Sequence, residues 1–347
     1  MAFSSSALRR LYTQLQTVVG TIINTGGTWN SAAANLVPHV KIEIKRITAL
    51  IEAEYKTGTS SMLTGVAGKN GGTFSGEADI MPSGAAGTAP NTAHLLANMF
   101  GAPGTVVAAT SVTYNLTDQS SANAVPLLTA AVFNETASTL TQQFGYGGLI
   151  QNYSIGLGGN GSVRLTFDGQ FFYVLETDNW ANEDSTGKAG LTTSPTTQPA
   201  SPALVGNIIP SFAATVTFAG TATVEFRSAT VKGTTGRSLR MDGVGFYPDT
   251  SVSQGRRKVT LSSLKFQDSD GAGLQAVKNA IRSKAAMNVV ITQGNVAGYI
   301  LTHTLDQVQF TDATLSEDGD NISVDFGDAP AHATALANTN EYTLALT

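Results

Sequence analysis

The sequence predicts a mainly β protein, a β-sandwich or barrel with short flanking helices. Three observations carry that prediction. Many segments of five to ten residues alternate apolar and polar side chains, the period of a half-buried strand. Gly-rich and Asn-rich turns separate them. Charged residues make up only 13% of the 347-residue chain while apolar residues reach 41%. That charge content is about half the ~25% usual for soluble domains. A chain with so little charge shows limited surface to solvent, which points to self-assembly.

Composition also excludes several classes. The chain has no cysteine, so a disulfide scaffold, a thiolate metal centre and a cysteine nucleophile are out. The formal charge of −5 argues against a general nucleic-acid binder. No run of 18 apolar residues predicts a membrane-spanning helix. The opening MAFSSSALRRLYTQLQ lacks a continuous apolar run, so no secretory signal is expected.

Taken in order, residues 5–25 predict a helix. Leu8, Leu11, Leu15, Val18, Val19, Ile22 and Ile23 follow its apolar spacing, and Gly26-Gly27 ends it. A Ser/Ala/Asn linker runs to Pro38, so residues 1–38 form a helix-and-linker arm. Val40, Ile42 and Ile44 alternate with charged neighbours as a strand; residues 44–55 fit either a strand or a helix. Gly68–Gly72 predicts a turn before the strand TFSGEADIM. A Gly/Ala/Pro loop over 83–90 leads into the helix PNTAHLLANMFG, opened near Pro90 and stopped by Gly101. Strands are expected near 111–116, 127–133, 148–157 and 162–175. Residues 179–213 hold Pro195, Pro199, Pro202 and Pro210 in a Thr/Ser context and predict a linker or surface loop. Further strands are expected at 214–219, 222–231, 237–246 and 257–266. A helix follows over 271–287 with Asp270 as its N-cap. Strands return at 289–292, 298–310, 312–316 and 321–326, and EYTLALT closes the series.

The order of elements repeats. A strand, a loop and a helix (GGTFSGEADIM to Phe100) have a counterpart in GRRKVTLSSLKF, DSDGAG and the helix 274–287. Long paired strands follow in both halves. Residues 39–178 and 214–347 therefore read as two similar units.

No motif points to an enzyme. Gly156–Gly161 spells G-x-G-x-x-G, but a strand follows it, so a hairpin turn is expected. Counted from Asp268, the calcium-loop positions that need oxygen ligands are Ala272 and Asn279, so this segment is a helix cap, and Asp318-Gly-Asp320 is a turn. His39, His94, His303 and His332 are scattered, and no nucleophile elbow is spelled. No catalytic residue, cofactor or metal is expected.

With these segments in order, the chain resembles the major tail tube proteins of long-tailed bacteriophages. GEADIMPSGAAGTAPNTAHLLANMFGA, SVTYNLT and GGLIQNYSIGLGGNGSVRLTFDG carry the likeness in the first half. SATVKGTTGRSLRMDGVGFYPD, GRRKVTLSSLKFQDSD, ATLSEDGDNISVDF and NEYTLALT carry it in the second. The likeness covers about residues 70–347; the first 38 residues depart from the pattern. It implies a virion protein, assembled in the host cytoplasm, whose rings close into a β-barrel and stack into a tube for double-stranded DNA. A duplicated unit implies three chains per ring with pseudo-sixfold symmetry. About four strands per unit then gives about 24 per ring, a backbone barrel about 45–50 Å across. Implied partners are other copies of the chain and tape-measure, tail-terminator and tail-tip proteins, with DNA passing but not bound specifically. The inner tube of a contractile injection system shares the architecture. A β-sandwich adhesin or carbohydrate-binding module is the reading from another class.

A DNA conduit needs walls that do not hold phosphates, and neutral or acidic polar faces meet that need. Strand alternation puts Ser75, Glu77 and Asp79 opposite Phe74, Ala78 and Ile80. It puts Ser162, Arg164, Thr166 and Asp168 opposite Val163, Leu165 and Phe167, and Ser323 and Asp325 opposite Ile322, Val324 and Phe326. Glu77, Asp79, Asp168 and Asp325 are the candidate lumen-facing acids. Arg256, Arg257 and Lys258, the one dense basic cluster, are candidate partners for acids on a neighbouring subunit.

Overall fold

The computed structural model describes residues 9–17, 36–51, 66–118, 124–135, 140–158, 161–176, 206–209, 214–223, 226–241, 248, 251–267, 272–318, 321–335 and 340–347. Among them are twenty-two strands and two helices. The first half holds β1 (Arg10–Gln16), β2 (Leu36–Val37), β3 (His39–Ile51), β4 (Val66–Asp79) and α1 (Ala93–Phe100). It continues through β5 (Thr105–Val107), β6 (Ser111–Asn115), β7 (Leu127–Glu135), β8 (Leu140–Gly158), β9 (Arg164–Phe171) and β10 (Tyr173–Glu176). The second half opens with β11 (Ala214–Phe218), β12 (Thr221–Thr223), β13 (Phe226–Thr234), β14 (Arg237–Leu239) and β15 (Val252–Gln254). Then come β16 (Lys258–Gln267), α2 (Ala272–Ser283), β17 (Met287–Gln293), β18 (Leu301–Val308) and β19 (Ala313–Asp318). The last strands are β20 (Asn321–Phe326), β21 (Ala329–Ala331) and β22 (Tyr342–Leu346).

All strand pairs given by the register are antiparallel. Thirteen strands are linked in one network, whose main sheet of eight runs β3-β4-β9-β8-β13-β16-β20-β19, while β7, β1 and β2 in turn, and β10, attach to the first half of β8 and β21 attaches to β16. A second runs β12-β11-β17-β18-β22-β6-β5. Their facing apolar rows share one core: Phe74, Ile155, Phe167, Leu261 and Phe266 from the first meet Val112, Val216, Ile291, Leu305 and Leu344 from the second. The mainly β expectation holds.

The eight-stranded sheet consists of two runs with the same order. In β3-β4-β9-β8 the four strands, numbered by chain position, lie 1-2-4-3; in β13-β16-β20-β19 they again lie 1-2-4-3. Each run has a helix between its second and third strands, α1 and α2. The runs join where β8 pairs β13, with Tyr153 opposite Gly233 and Ser154 opposite Lys232. Gly233 is required there, because the Tyr153 ring lies 2.2 Å from where a Cβ would sit.

β8 is the long strand of this sheet, and it changes partners midway. Residues 140–148 pair β7, and residues 149–156 pair β9. The change falls at Gly147 (φ 65°) and Gly148, where a Cβ would lie 2.6 Å from the Phe171 ring. Asn98 of α1 fills the resulting gap in the ladder. Its Nδ2 donates to the carbonyls of Pro126 (2.7 Å) and Gly148 (3.0 Å), and its Oδ1 accepts from Ile150 N–H (2.7 Å).

Two expectations are corrected. The described part of the 5–25 segment is not helix but β1, inserted between β7 and β2. Both of its faces are covered: Leu11 lies in the main core, and Tyr12 in a second cluster, edge-on to Phe133. A strand buried on both faces loses its alternation, and the leucine spacing then imitates a helix. Gly68–Gly72 is not a turn but part of β4, because Gly72 lets Val174 close to 2.3 Å of its missing Cβ. The ambiguous stretch from residue 44 is strand through Ile51. The predicted strand at 237–246 is short, β14, with 242–247 outside the described residues. Helix α1 ends at Gly101 (φ 90°), as expected. Asp270, residues 18–35 and most of 179–213 lie outside the described residues.

His303 is fully buried in β18, its Nδ1 2.8 Å from the Tyr342 hydroxyl and its ring stacked on that tyrosine. Burial pulls its pKa down to about 3. The unfolded chain protonates this residue below about pH 6.5 while the folded chain does not. Stability therefore falls as pH drops from about 6.5 toward 3, by up to about 1.4 kcal/mol per pH unit from this group. Thermal melts from pH 7 to 4 should show a shallower decline in His303→Phe than in the wild type. Asn98→Leu leaves two carbonyls and one N–H buried without a partner. It should cost about 3–5 kcal/mol in urea unfolding.

Candidate functional site

The face of the eight-stranded sheet turned away from the core is polar from edge to edge, and cross-strand pairing places its residues. On β3 and β4, Lys41 stands opposite Glu77, Glu43 opposite Ser75 and Lys45 opposite Thr73. On β4 and β9, Ser75 faces Asp168 and Asp79 faces Arg164. At the β8–β13 seam Ser154 faces Lys232, and Thr234 connects Asn152 on one side to Lys258 on the other. On β16 and β20, Lys265 faces Asp325. The four expected acids, Glu77, Asp79, Asp168 and Asp325, thus share one face, opposite Phe74, Phe167 and Phe326.

The same face carries Arg164, which strand alternation already sets beside Asp168, and further cations that the sequence analysis did not assign to it. Its described residues include Lys41, Lys45, Arg164, Lys232, Lys258 and Lys265, matched in number by Glu43, Glu77, Asp79, Asp168, Asp325 and Asp328. Among these described residues the charges cancel in number and are mixed in detail. Arg164 lies 3.1 Å from Asp79 and 3.7 Å from Glu77, and Ser162 Oγ donates to Asp79 at 2.7 Å. Lys265 lies 3.6 Å from Asp325, which also accepts from Ser316 Oγ at 2.7 Å. Asp168 accepts from Asn152 Nδ2 at 2.8 Å. Exposed pairs of this kind contribute about 0–1 kcal/mol each. Their consequence is local cancellation of field, not stability.

A shallow concavity of about 410 Å³ crosses the seam between the two runs, lined by Asn152, Thr166, Asp168, Lys232, Lys258 and Asp328 among others. It has opposed charges along its walls. Among the described residues no group of three His, Asp or Glu side chains could hold a metal ion.

The basic cluster divides. Lys258 belongs to the polar face, and Arg256 is exposed on the turn before β16. Arg257 finds its carboxylates within its own chain. Its Nε and Nη2 make a two-point contact with Glu341 at 3.1 and 3.0 Å, and its Nη1 reaches Asp118. This guanidinium is largely buried, so the contact is set by the fold.

Behind it lies Arg237, a residue that sequence reasoning missed. It is buried on β14 and donates to the carbonyls of Asn98 and Thr117, both at 2.8 Å. Longer contacts reach Met99 and Phe100. It thereby satisfies the free carbonyl end of α1, where the helix dipole favours a cation. Burial pulls its pKa down to about 10, so it stays charged at neutral pH. Nothing in the stretch GTTGRSLR signals this role. Asn98 left a faint signal, as a polar residue inside the apolar helix sequence LLANMF.

His94 ties α1 to β1, its Nδ1 2.9 Å from the Thr13 carbonyl, and burial lowers its pKa. No family model matches this chain, and no curated protein matches it.

Arg257→Met leaves Glu341 half-buried without its cation and should cost about 2–4 kcal/mol in urea unfolding. The double variant Arg257→Met/Glu341→Gln should recover part of that loss, and a double-mutant cycle reads the coupling.

Proposed function

We propose that this chain is a structural tube subunit of the bacteriophage tail type, three copies of which close into a ring around a channel for double-stranded DNA. One observation carries the reading. Two runs of identical strand order are joined edge to edge by β8 and β13. The free edges of the sheet are then β3, the counterpart of β13, and β19, the counterpart of β8. Pairing β19 of one copy with β3 of the next would repeat the internal junction, which is the requirement for closure by rotation. Three copies supply 24 strands, a barrel about 45–50 Å across.

The edges support this. A free sheet edge is an aggregation hazard that proteins normally blunt. Here Leu315 on β19 and Ile322 on β20 are exposed, on the face that elsewhere in the sheet is core. A neighbouring copy is a natural cover for them.

In such a ring the polar face lines the channel. A duplex sliding past it would meet opposite charges that are matched in number among the described residues. Phosphates are neither collected by a cationic track nor strongly repelled, so the counterion release that drives nonspecific binding stays small. The work of the subunit is mechanical, with no catalytic residue or cofactor in it. Tape-measure, terminator and tip proteins would meet the tube at its axis and ends, and the assembled particle would be a virion tail.

Electron microscopy of the purified protein tests the reading. Rings with threefold modulation and a central hole are expected, alone or stacked. Leu315→Lys should keep the monomer folded by circular dichroism but abolish rings. A wild-type protein that stays monomeric at high concentration and under added crowding agents would count against the ring.

A further inference from the structure

The second sheet of the sandwich has two unlike ends. Strands β6 and β22 run between them, with Thr343 opposite Asn115 at one end and Leu346 opposite Val112 at the other. At the Val112 end the β5–β6 hairpin turns through Ala108, Ala109 and Thr110, all exposed, next to Val106 and Val107, each more than half exposed. From Ile80 to Thr117 the chain holds no Asp, Glu, Lys or Arg, and none occurs from Ala285 to Leu305. The loops at this end lock together through glycines. Gly87 (φ 76°) sits against the Val107 carbonyl, and Gly298 (φ 85°) against that of Gly84. Val296, in the same locked set, is also more than half exposed. The result is a preformed, apolar projection without Asp, Glu, Lys or Arg side chains.

At the Asn115 end lies a concavity of about 640 Å³. Its walls include Ala331, Ala333, Thr334 and Ala335, with Arg257 already neutralised by Glu341 and Asp118. Arg256 stands exposed at its rim with no partner among the described residues. β5 is the terminal strand of its sheet, so one row of its backbone groups has no partner strand. A guanidinium with five N–H donors suits the carbonyls of such an edge.

We propose that the β5–β6 tip of one copy seats in the Arg256-rimmed concavity of a second copy of this chain, and that this head-to-tail contact stacks the rings. The inference rests on the ring reading above and names the surfaces that join successive rings. Tip and concavity lie at opposite ends of one molecule, so one chain cannot satisfy its own contact. A head-to-tail contact along the axis does not close and continues as a filament. An uncharged tip loses little solvation on entering.

The absence of cysteine makes the test clean. Ala108→Cys/Thr334→Cys places one thiol on the tip and one on the concavity wall. After mild oxidation of assembled tubes, a non-reducing gel should show a ladder of multimers that collapses to monomer on reduction. Val107→Asp, in the wild-type background, should leave single rings and reduce tubes at least tenfold by particle counting. Tubes whose double-cysteine subunits stay monomeric after oxidation, or Val107→Asp tubes as abundant as wild type, would overturn the contact and leave the ring standing. Failure of the wild-type chain to form rings at all would overturn both.

Discussion

The exchange of partners along β8 is the constraint on which the rest of the structure depends. Its first half belongs to the small sheet with β7, β1 and β10, and its second half to the sheet that carries the polar face. A continuous ladder cannot serve both without a break, and a break leaves backbone groups buried and unpaired. Gly147 supplies the bend and Asn98 the missing hydrogen bonds. The side chain comes from α1, so the helix is fixed at the point where the two sheets part. Arg237 then holds the same C-terminal turn of the helix from the second half of the chain. Both halves meet on one eight-residue helix, which explains why a polar amide and a guanidinium are tolerated in the core. Each has its donors met by carbonyls that would otherwise be orphaned.

This arrangement bears on how the polar face stays flat enough to be continuous. The seam between the runs is a direct β8–β13 ladder, with Tyr153 packed on Gly233 beneath it. Anchoring α1 through Asn98 and Arg237 holds β8 and β14 to one body, and β14 follows β13 after two residues. The seam is therefore braced on the core side while its outer side remains open to solvent. The ion pairs on that outer side are too exposed to brace anything. Rigidity and surface charge come from different layers, so the charges of the face can vary without disturbing the fold.

Much of the fold was legible because its strands are covered on one face only. In TFSGEADI the alternation is complete, and β4 and the residue after it place Phe74, Ala78 and Ile80 inward as expected. The same alternation located the four acids. It failed where burial is two-sided, as in β1, whose Leu11 and Tyr12 point into different cores. It failed again at Gly68–Gly72, where glycine marks a close approach of side chains and not a turn. The cations of the polar face were present in the strands that were read, but their register relative to the acids is a property of pairing. Lys232 and Asp168 are 64 positions apart and share a concavity only because β8 separates their strands. Arg237 and Asn98 were illegible for a related reason: their partners are backbone carbonyls, which leave no trace in sequence.

The two readings of the surface rest on the same asymmetry of charge. Most of the charged residues described sit on the polar face or at the end marked by Arg256 and Glu341, and the opposite end of the second sheet has none over long stretches. A monomer exposing Val106, Val107 and Val296 next to an open sheet edge would be prone to disordered association. Locking the uncharged loops through positive-φ glycines limits the shapes they can offer to a partner. A neutral tip cannot be steered over long range, so its encounter is slow, whereas the edge strand β3, with Lys41, Glu43 and Lys45, presents charges that can select register. In the proposed assembly, lateral closure at the β3 and β19 edges would then precede axial stacking by apolar tips. A single copy offers one tip while the proposed three-copy ring would offer three at once, and their combined hold would greatly exceed that of one.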